Sequence, residues 1–146
     1  MSDGRAPLPT PERYPFWTEE KLRFGDTDLL GHINNSAYSV FCESGRVEML
    51  RQVRGGVVMG DSFIVIVRLA IDFRQELHYP GTVRVGSAVT RIGNTSFTVE
   101  QGLFGAPGCV ATSEAVCVLL GTDTRRPVPI PEAERAQLLA LAPLAG

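Results

Sequence analysis

The sequence predicts an α+β domain in which one curved antiparallel sheet wraps around a single long helix. Three observations carry this. A stretch near residues 36–54 has helical periodicity and is apolar around most of its girth, strand-like runs follow it, and short turn signals join those runs. A helix with so narrow a polar strip has to be covered, and consecutive antiparallel strands form one sheet able to cover it. The order strand, helix, then strands excludes a doubly wound parallel sheet, in which helices alternate with strands.

The 146 residues are an ordinary length for one domain, long enough to bury a core without staples. Apolar residues at 44% and charged residues at 21% exclude extensive disorder. The polar lead from Met1 to Pro15 holds Pro7, Pro9, Pro11 and Pro15 and no apolar run, so it reads as neither signal peptide nor helix. Thr18 to Phe24 reads as a first strand, and Gly25 to Asn35 as a loop whose Asp and Asn side chains favour turns. The helix follows. Ser39, Glu43 and Arg46 form its polar strip; Tyr38, Phe41, Cys42, Gly45, Met49 and Val53 lie opposite, with Ala37 and Val40 nearer the edges. Asn35 or Ser36 serves as N-cap, and Gly55-Gly56 ends the pattern after about five turns.

Phe63, Val65, Val67, Leu69, Ile71 and Phe73 then alternate with Ile64, Ile66, Arg68, Ala70, Asp72 and Arg74. This predicts a strand with one continuous apolar face and a second face that turns polar halfway. Tyr79-Pro80-Gly81 is a turn, Thr82 to Ile92 a strand, and Gly93-Asn94 a hairpin signal. Ser96 to Phe104 and Cys109 to Leu120 complete the sheet, separated by Gly105 to Gly108. Pro127, Pro129 and Pro131 exclude regular structure until a short helix at about Glu132 to Leu141. The chain therefore divides into a proline-rich extension, 1–17, one domain, 18–122, and a proline-rich segment with a short helix, 123–146.

A formal charge of −2 argues against a nucleic-acid partner, and no stretch approaches the roughly 20 apolar residues of a membrane span. Cys42, Cys109 and Cys117 are odd in number and lack C-x-x-C spacing; they read as reduced thiols in a cytoplasmic protein, not as a disulfide framework or zinc site. Lys21 is the sole lysine among fourteen basic residues, and arginine is the residue suited to forked phosphate recognition.

The chemistry concentrates between Arg23 and Tyr38, where Asp26, Asp28, His32, Asn34 and Asn35 gather at the mouth of the helix. A helix N-terminus offers unpaired N–H groups to a developing oxyanion, and a carboxylate just ahead of it can act as nucleophile or as base for a water. The same residue types also build a plain Asx-turn loop with an N-cap.

The run Phe24-Gly-Asp-Thr-Asp28, then Gly31-His-Ile-Asn-Asn35, Tyr38 and Glu43-x-x-Arg46-x-Glu48, resembles the hotdog-fold acyl-CoA thioesterases of the 4-hydroxybenzoyl-CoA thioesterase family, in its D-T-D-x-x-G-H-x-N-N-x-x-Y branch. Ile71-Asp-Phe-Arg74, Pro80-Gly81 and Arg91 to Phe97 extend the resemblance, which spans roughly residues 18–122. It implies that Asp28 is the catalytic carboxylate and that the Asn35 backbone N–H is the oxyanion contact; Asp26 would brace the loop. His32 would touch substrate or water, or else hold the loop to a neighbouring subunit, and Tyr38 would line the acyl pocket or simply pack in the core. A metal held by Asp26, Asp28 and His32 is not expected, and Cys42 on the buried helix side is expected to be inert.

Glu43 and Arg46 are read as a pair on the polar strip. Glu48, on the apolar side, should meet an arginine or a subunit boundary. His78, beside a turn, should face solvent. Arg91, with Asn94, Thr95 and Ser96, is the expected contact for the phosphates or pantetheine of coenzyme A; Arg68, Arg74, Arg84, Arg125 and Arg126 read as surface charges. No G-x-G-x-x-G or P-loop occurs.

The expected function is hydrolysis of an acyl-CoA thioester to a carboxylic acid and coenzyme A, without a cofactor, by a homodimer or a dimer of dimers (a homotetramer). An acyl carrier protein thioester is an alternative substrate. The rival readings on the same fold are an enoyl-CoA hydratase or dehydratase and a non-catalytic acyl-binding protein.

Overall fold

A computed structural model describes residues 7–144; residues 1–6 of the proline-rich lead and residues 145–146 lie outside it. Six antiparallel strands form one curled sheet in the order β1-β4-β5-β6-β3-β2 around a central helix, so the predicted α+β architecture is the observed one. In chain order these are β1 (Phe16–Lys21), α1 (Asn35–Arg54), β2 (Val58–Met59), β3 (Ser62–Phe73), β4 (Thr82–Ile92), β5 (Ser96–Gly105), β6 (Gly108–Gly121) and α2 (Glu132–Leu139). Two-residue β2 has no counterpart in the sequence reading. β1 starts two residues before the expected Thr18 and stops at Lys21, because Phe24–Asp26 closes a 3-10 turn instead of extending the strand. The lead contributes one 3-10 turn, Pro11–Arg13, and Tyr14 packs edge-on against Trp17 and Phe104 on the outer face of the sheet.

α1 runs 20 residues, about 30 Å. Its cap is Asn34, one residue earlier than expected, whose side chain accepts from the Ser36 N–H, and Gly55 ends it at φ 89°. Ala37, Tyr38, Phe41, Cys42, Met49 and Val53 are buried as their spacing predicts, whereas Val40 is half exposed. Two other helix residues depart from expectation. Arg46 is not on an outer strip with Glu43: it is 6% exposed and turned into the core. Glu48 does meet an arginine, Arg51 at 3.1 Å, but on the solvent side.

Arg46 turns inward because the centre of the sheet is polar. Ser87, Gln101 and Ser113 lie opposite one another on β4, β5 and β6 and are all buried. Gln101 donates to Ser87 Oγ and to the Cys42 carbonyl, both at 3.0 Å, and accepts from Ser113 and from Arg46 Nη1, both at 3.3 Å. Helix and sheet approach closely here: a Cβ on Gly45 would stand 2.9 Å from Gln101 Nε2 and from Val85 Cγ1. This polar row divides the core. Tyr38, Phe41, Val83, Val85 and Leu103 pack on the side of the helix entry, and Met49, Leu50, Val99 and Leu119 on the other.

β3 corrects a second expectation. A bulge at Val67 places Ile66 opposite Cys117 and Arg68 opposite Val116, which shifts the side-chain alternation by one. Ile64 and Ile66, then Leu69, Ile71 and Phe73, share the core face, so the predicted face of six alternating apolar residues does not exist as one surface.

The C-terminal segment belongs to the core. Val128 and Ile130 bond to Leu119 and Asn94, and Ile130, Leu138 and Leu141 are buried beside Met49. α2 ends at Leu139, two residues short of the expected Leu141.

Candidate active site

The loop between β1 and α1 is built on Asp26. Its buried carboxylate accepts from Arg23 Nη2 at 2.8 Å, from Arg23 Nε at 3.2 Å and from the Arg23 backbone N–H at 3.2 Å. The Arg23 guanidinium holds Asp26 below the usual carboxylate range against the opposing effect of burial. The Asp26 carbonyl accepts from the Asn34 N–H at 2.7 Å, which closes the base of the loop.

Asp28 sits in the exposed turn above. Its Oδ1 accepts from the N–H of Leu30 at 2.8 Å and of His32 at 3.1 Å, an Asx-type brace. Among the described residues no donor engages the other oxygen, Oδ2. The turn reading and the chemical reading of Asp28 are thus compatible in one side chain.

At the helix entry, Asn34 takes up the N–H groups of Ser36, through its side chain at 3.3 Å, and of Ala37, through its carbonyl at 2.9 Å. The Asn35 N–H, first of the helix, has no acceptor among the described residues. Asp28, His32, Asn35 and Tyr38 line one wall of a cleft of about 450 Å³, within the range of small-molecule sites. The Tyr38 ring is buried and meets the Phe73 ring edge-on at 5.1 Å, so it is core and cleft wall at once; burial raises its phenol above the ordinary range.

In the second wall, Phe73 to Leu77, the stretch Arg74 to Leu77 is the part that sequence reasoning misses. A bulge at Val110 lets its carbonyl accept from both Arg74 and Gln75, at 2.9 and 3.1 Å, and this folds the chain after β3 back towards the helix entry. Arg74, read as a surface charge, lines the cleft. His78 is exposed as expected, yet its ring lies edge-on to His32 with centroids 4.5 Å apart. A signal was present in the alternation Glu76-Leu77-His78, in which only the leucine is apolar.

Arg91, Asn94, Thr95 and Ser96 lie elsewhere. The Asp28 loop joins the start of β4 through a Leu22–Gly81 bond, whereas this hairpin caps its far end, roughly 30 Å away along the strand. There Arg135 holds the Gly93 carbonyl at 2.9 Å and Ile130 holds that of Asn94 at 2.9 Å. Cys42 is buried off the cleft, its thiol pushed up by burial, with its Sγ 3.5 Å from Ser113 Oγ.

A six-stranded antiparallel sheet curled on one long helix is the hotdog arrangement of thioesterase-like proteins. The chain belongs to the Thioesterase-like superfamily, whose sequence pattern matches residues 22–138. Solved structures are similar over most of the chain. The PA5185 protein of Pseudomonas aeruginosa is 29% identical with a TM-score of 0.87, covering 96% of this chain and 100% of its own. A predicted thioesterase from Bacillus stearothermophilus is 32% identical at 0.81, covering 90% and 98%. A thioesterase from Thermus thermophilus, solved with coenzyme A and Zn, is 25% identical at 0.75, covering 86% and 98%.

Proposed function

We propose that this chain hydrolyses acyl-CoA thioesters, with Asp28 as the catalytic carboxylate. The observation that carries this reading is the pairing of an uncommitted Asp28 Oδ2 with an uncommitted Asn35 N–H on one cleft wall. The thioester oxygen would accept from the Asn35 N–H at the positive end of α1, which stabilises charge as it develops there. Asp28 would attack the carbonyl carbon, expelling the thiolate and leaving a mixed anhydride for water to open, or would deprotonate a water that attacks instead. A thiolate leaves readily, so neither route asks for a cofactor. Tyr38 and Phe73 would face the acyl group, and His32 the thioester or its water. Coenzyme A bound to the Thermus relative supports the choice of carrier.

The working unit in this reading is a homo-oligomer, a dimer or dimer of dimers, in the cytoplasm. β3 pairs with β6 on one side and over only two residues with β2 on the other, and Ile66, Val67 and Leu69 are 40%, 61% and 40% exposed. Arg91, Asn94, Thr95 and Ser96 would then touch the coenzyme A bound by a neighbouring copy.

The test is thiol release from a panel of aliphatic and aromatic acyl-CoAs and from an acyl carrier protein thioester. Wild type should release thiol, and Asp28→Asn should lose at least about 100-fold in kcat with its fold unchanged. Full activity in Asp28→Asn would discard the mechanism. A wild type inert on every thioester, but active in enoyl-CoA hydration or merely binding acyl-CoA, would discard the hydrolase.

A further inference from the structure

We propose that His32, Glu76 and His78 form a binding site for a zinc-class divalent ion at the rim of the cleft. The argument starts from the backbone. Ile33 donates to the Leu77 carbonyl at 2.7 Å and Tyr79 to the Gly31 carbonyl at 3.4 Å, so residues 31–33 and 77–79 pair as a short antiparallel ladder with His32 directly opposite His78. Opposed residues project from the same face of such a ladder, and so does the residue two positions along, which is Glu76. Leu77, between them, points the other way and is buried. The fold thus delivers two imidazoles and one carboxylate to one side and anchors them from the other.

The distances suit an ion better than a salt bridge. Glu76 Oε2 lies 3.5 Å from His32 Nε2 and 3.4 Å from His78 Nε2. A charge-assisted hydrogen bond is shorter, at about 2.7–2.9 Å. Two donors on a tetrahedral zinc with bonds of about 2.0–2.1 Å are separated by about 3.3 Å. The ligand atoms of all three residues lie within 4.8 Å of one another, so the two imidazoles have to draw in towards a common ion. The Glu76 and His78 side chains are 67% and 56% exposed, which leaves them room to turn towards it.

Two borderline imidazoles beside one carboxylate suit Zn²⁺ and Co²⁺ rather than Mg²⁺ or Ca²⁺, which take oxygen ligands. Three protein ligands leave a fourth position for water. Since His32 belongs to the turn that holds Asp28, an ion here would tie that turn to the opposite wall of the cleft.

The test needs no thioesterase activity, so it stands or falls separately from the proposed hydrolysis. Untagged, metal-free full chain is titrated with Co²⁺ and Zn²⁺. The expected result is one ion per chain, with the visible absorption of tetrahedral Co²⁺ and its displacement by Zn²⁺. His78→Ala and Glu76→Gln, both at exposed positions, should fold normally and weaken binding by about 100-fold or more. Mg²⁺ should not compete. Absence of binding at a hundred micromolar, or binding that both variants retain, overturns the site.

Discussion

Arg46 Nη1 donates to Gln101 Oε1 at 3.3 Å inside the core, and no carboxylate among the described residues pairs with that guanidinium. The charge is held instead by a neutral amide, itself fixed by Ser87, Ser113 and the Cys42 carbonyl. Gln101 is therefore the hub on which helix and sheet are registered. Gln101→Leu should destabilise the fold by about 2–4 kcal/mol, because it removes the acceptor of a buried charge and the amide that bonds the buried Ser87 and Ser113 hydroxyls. A double variant that also carries Arg46→Met should be more stable than Gln101→Leu alone, since removing both partners removes the uncompensated charge. Urea midpoints decide; strict additivity of the two changes would contradict the hub.

Asn35 separates side chain from backbone in the proposed oxyanion contact. Proline is tolerated at the first helical position, and Asn34 already has the extended ψ of 141° that a following proline requires. Asn35→Pro should keep the melting temperature within a few degrees while kcat falls by about 100-fold, as loss of one oxyanion donor does elsewhere. Asn35→Ala, which keeps the N–H, should retain activity within a few-fold. Equal losses in both variants would assign the role to the side chain.

The cap is the neighbouring residue. Asn34→Ala should cost about 0.5–2 kcal/mol of stability, as the Ser36 N–H loses its acceptor. A thermal melt with no shift would show that water replaces the cap at no cost.

Cys42, Cys109 and Cys117 are all buried, burial raises all three thiols, and that of Cys117 is pushed up to about 12. At pH 8 the native protein should therefore react with no thiol reagent on the minute timescale, and the denatured chain should release three equivalents. A fast-reacting native thiol would contradict this burial.

Asp26 sets an acid limit. Its folded pKa is lowered by Arg23, so it stabilises the fold fully above the unfolded value of about 3.9, and that contribution is lost as pH falls through the lower folded value. Asp26→Asn should be the less stable protein at pH 6, with the gap to wild type shrinking below about pH 4. A gap that widens on acidification would reverse the sign and refute the assignment.

The sequence by itself determined the order of every element but two-residue β2, the burial of α1 and the gathering of Asp28, His32 and Asn35 at its mouth. These follow from local rules: a period of 3.6 or 2, the turn chemistry of Asp, Asn and Gly, and their placement ahead of one helix. The tertiary structure alone decided the rest. One extra residue at Val67 moves the apolar face of β3, and pattern counting assumes no such insertion. Arg46 turns inward because Gln101, 55 residues away, offers it an acceptor. His32 meets His78 because Val110 bends the chain after β3, and β4 carries Arg91 to the far end of the sheet. Each depends on a partner distant in the chain, and a local pattern carries no information about which distant group will be opposite it.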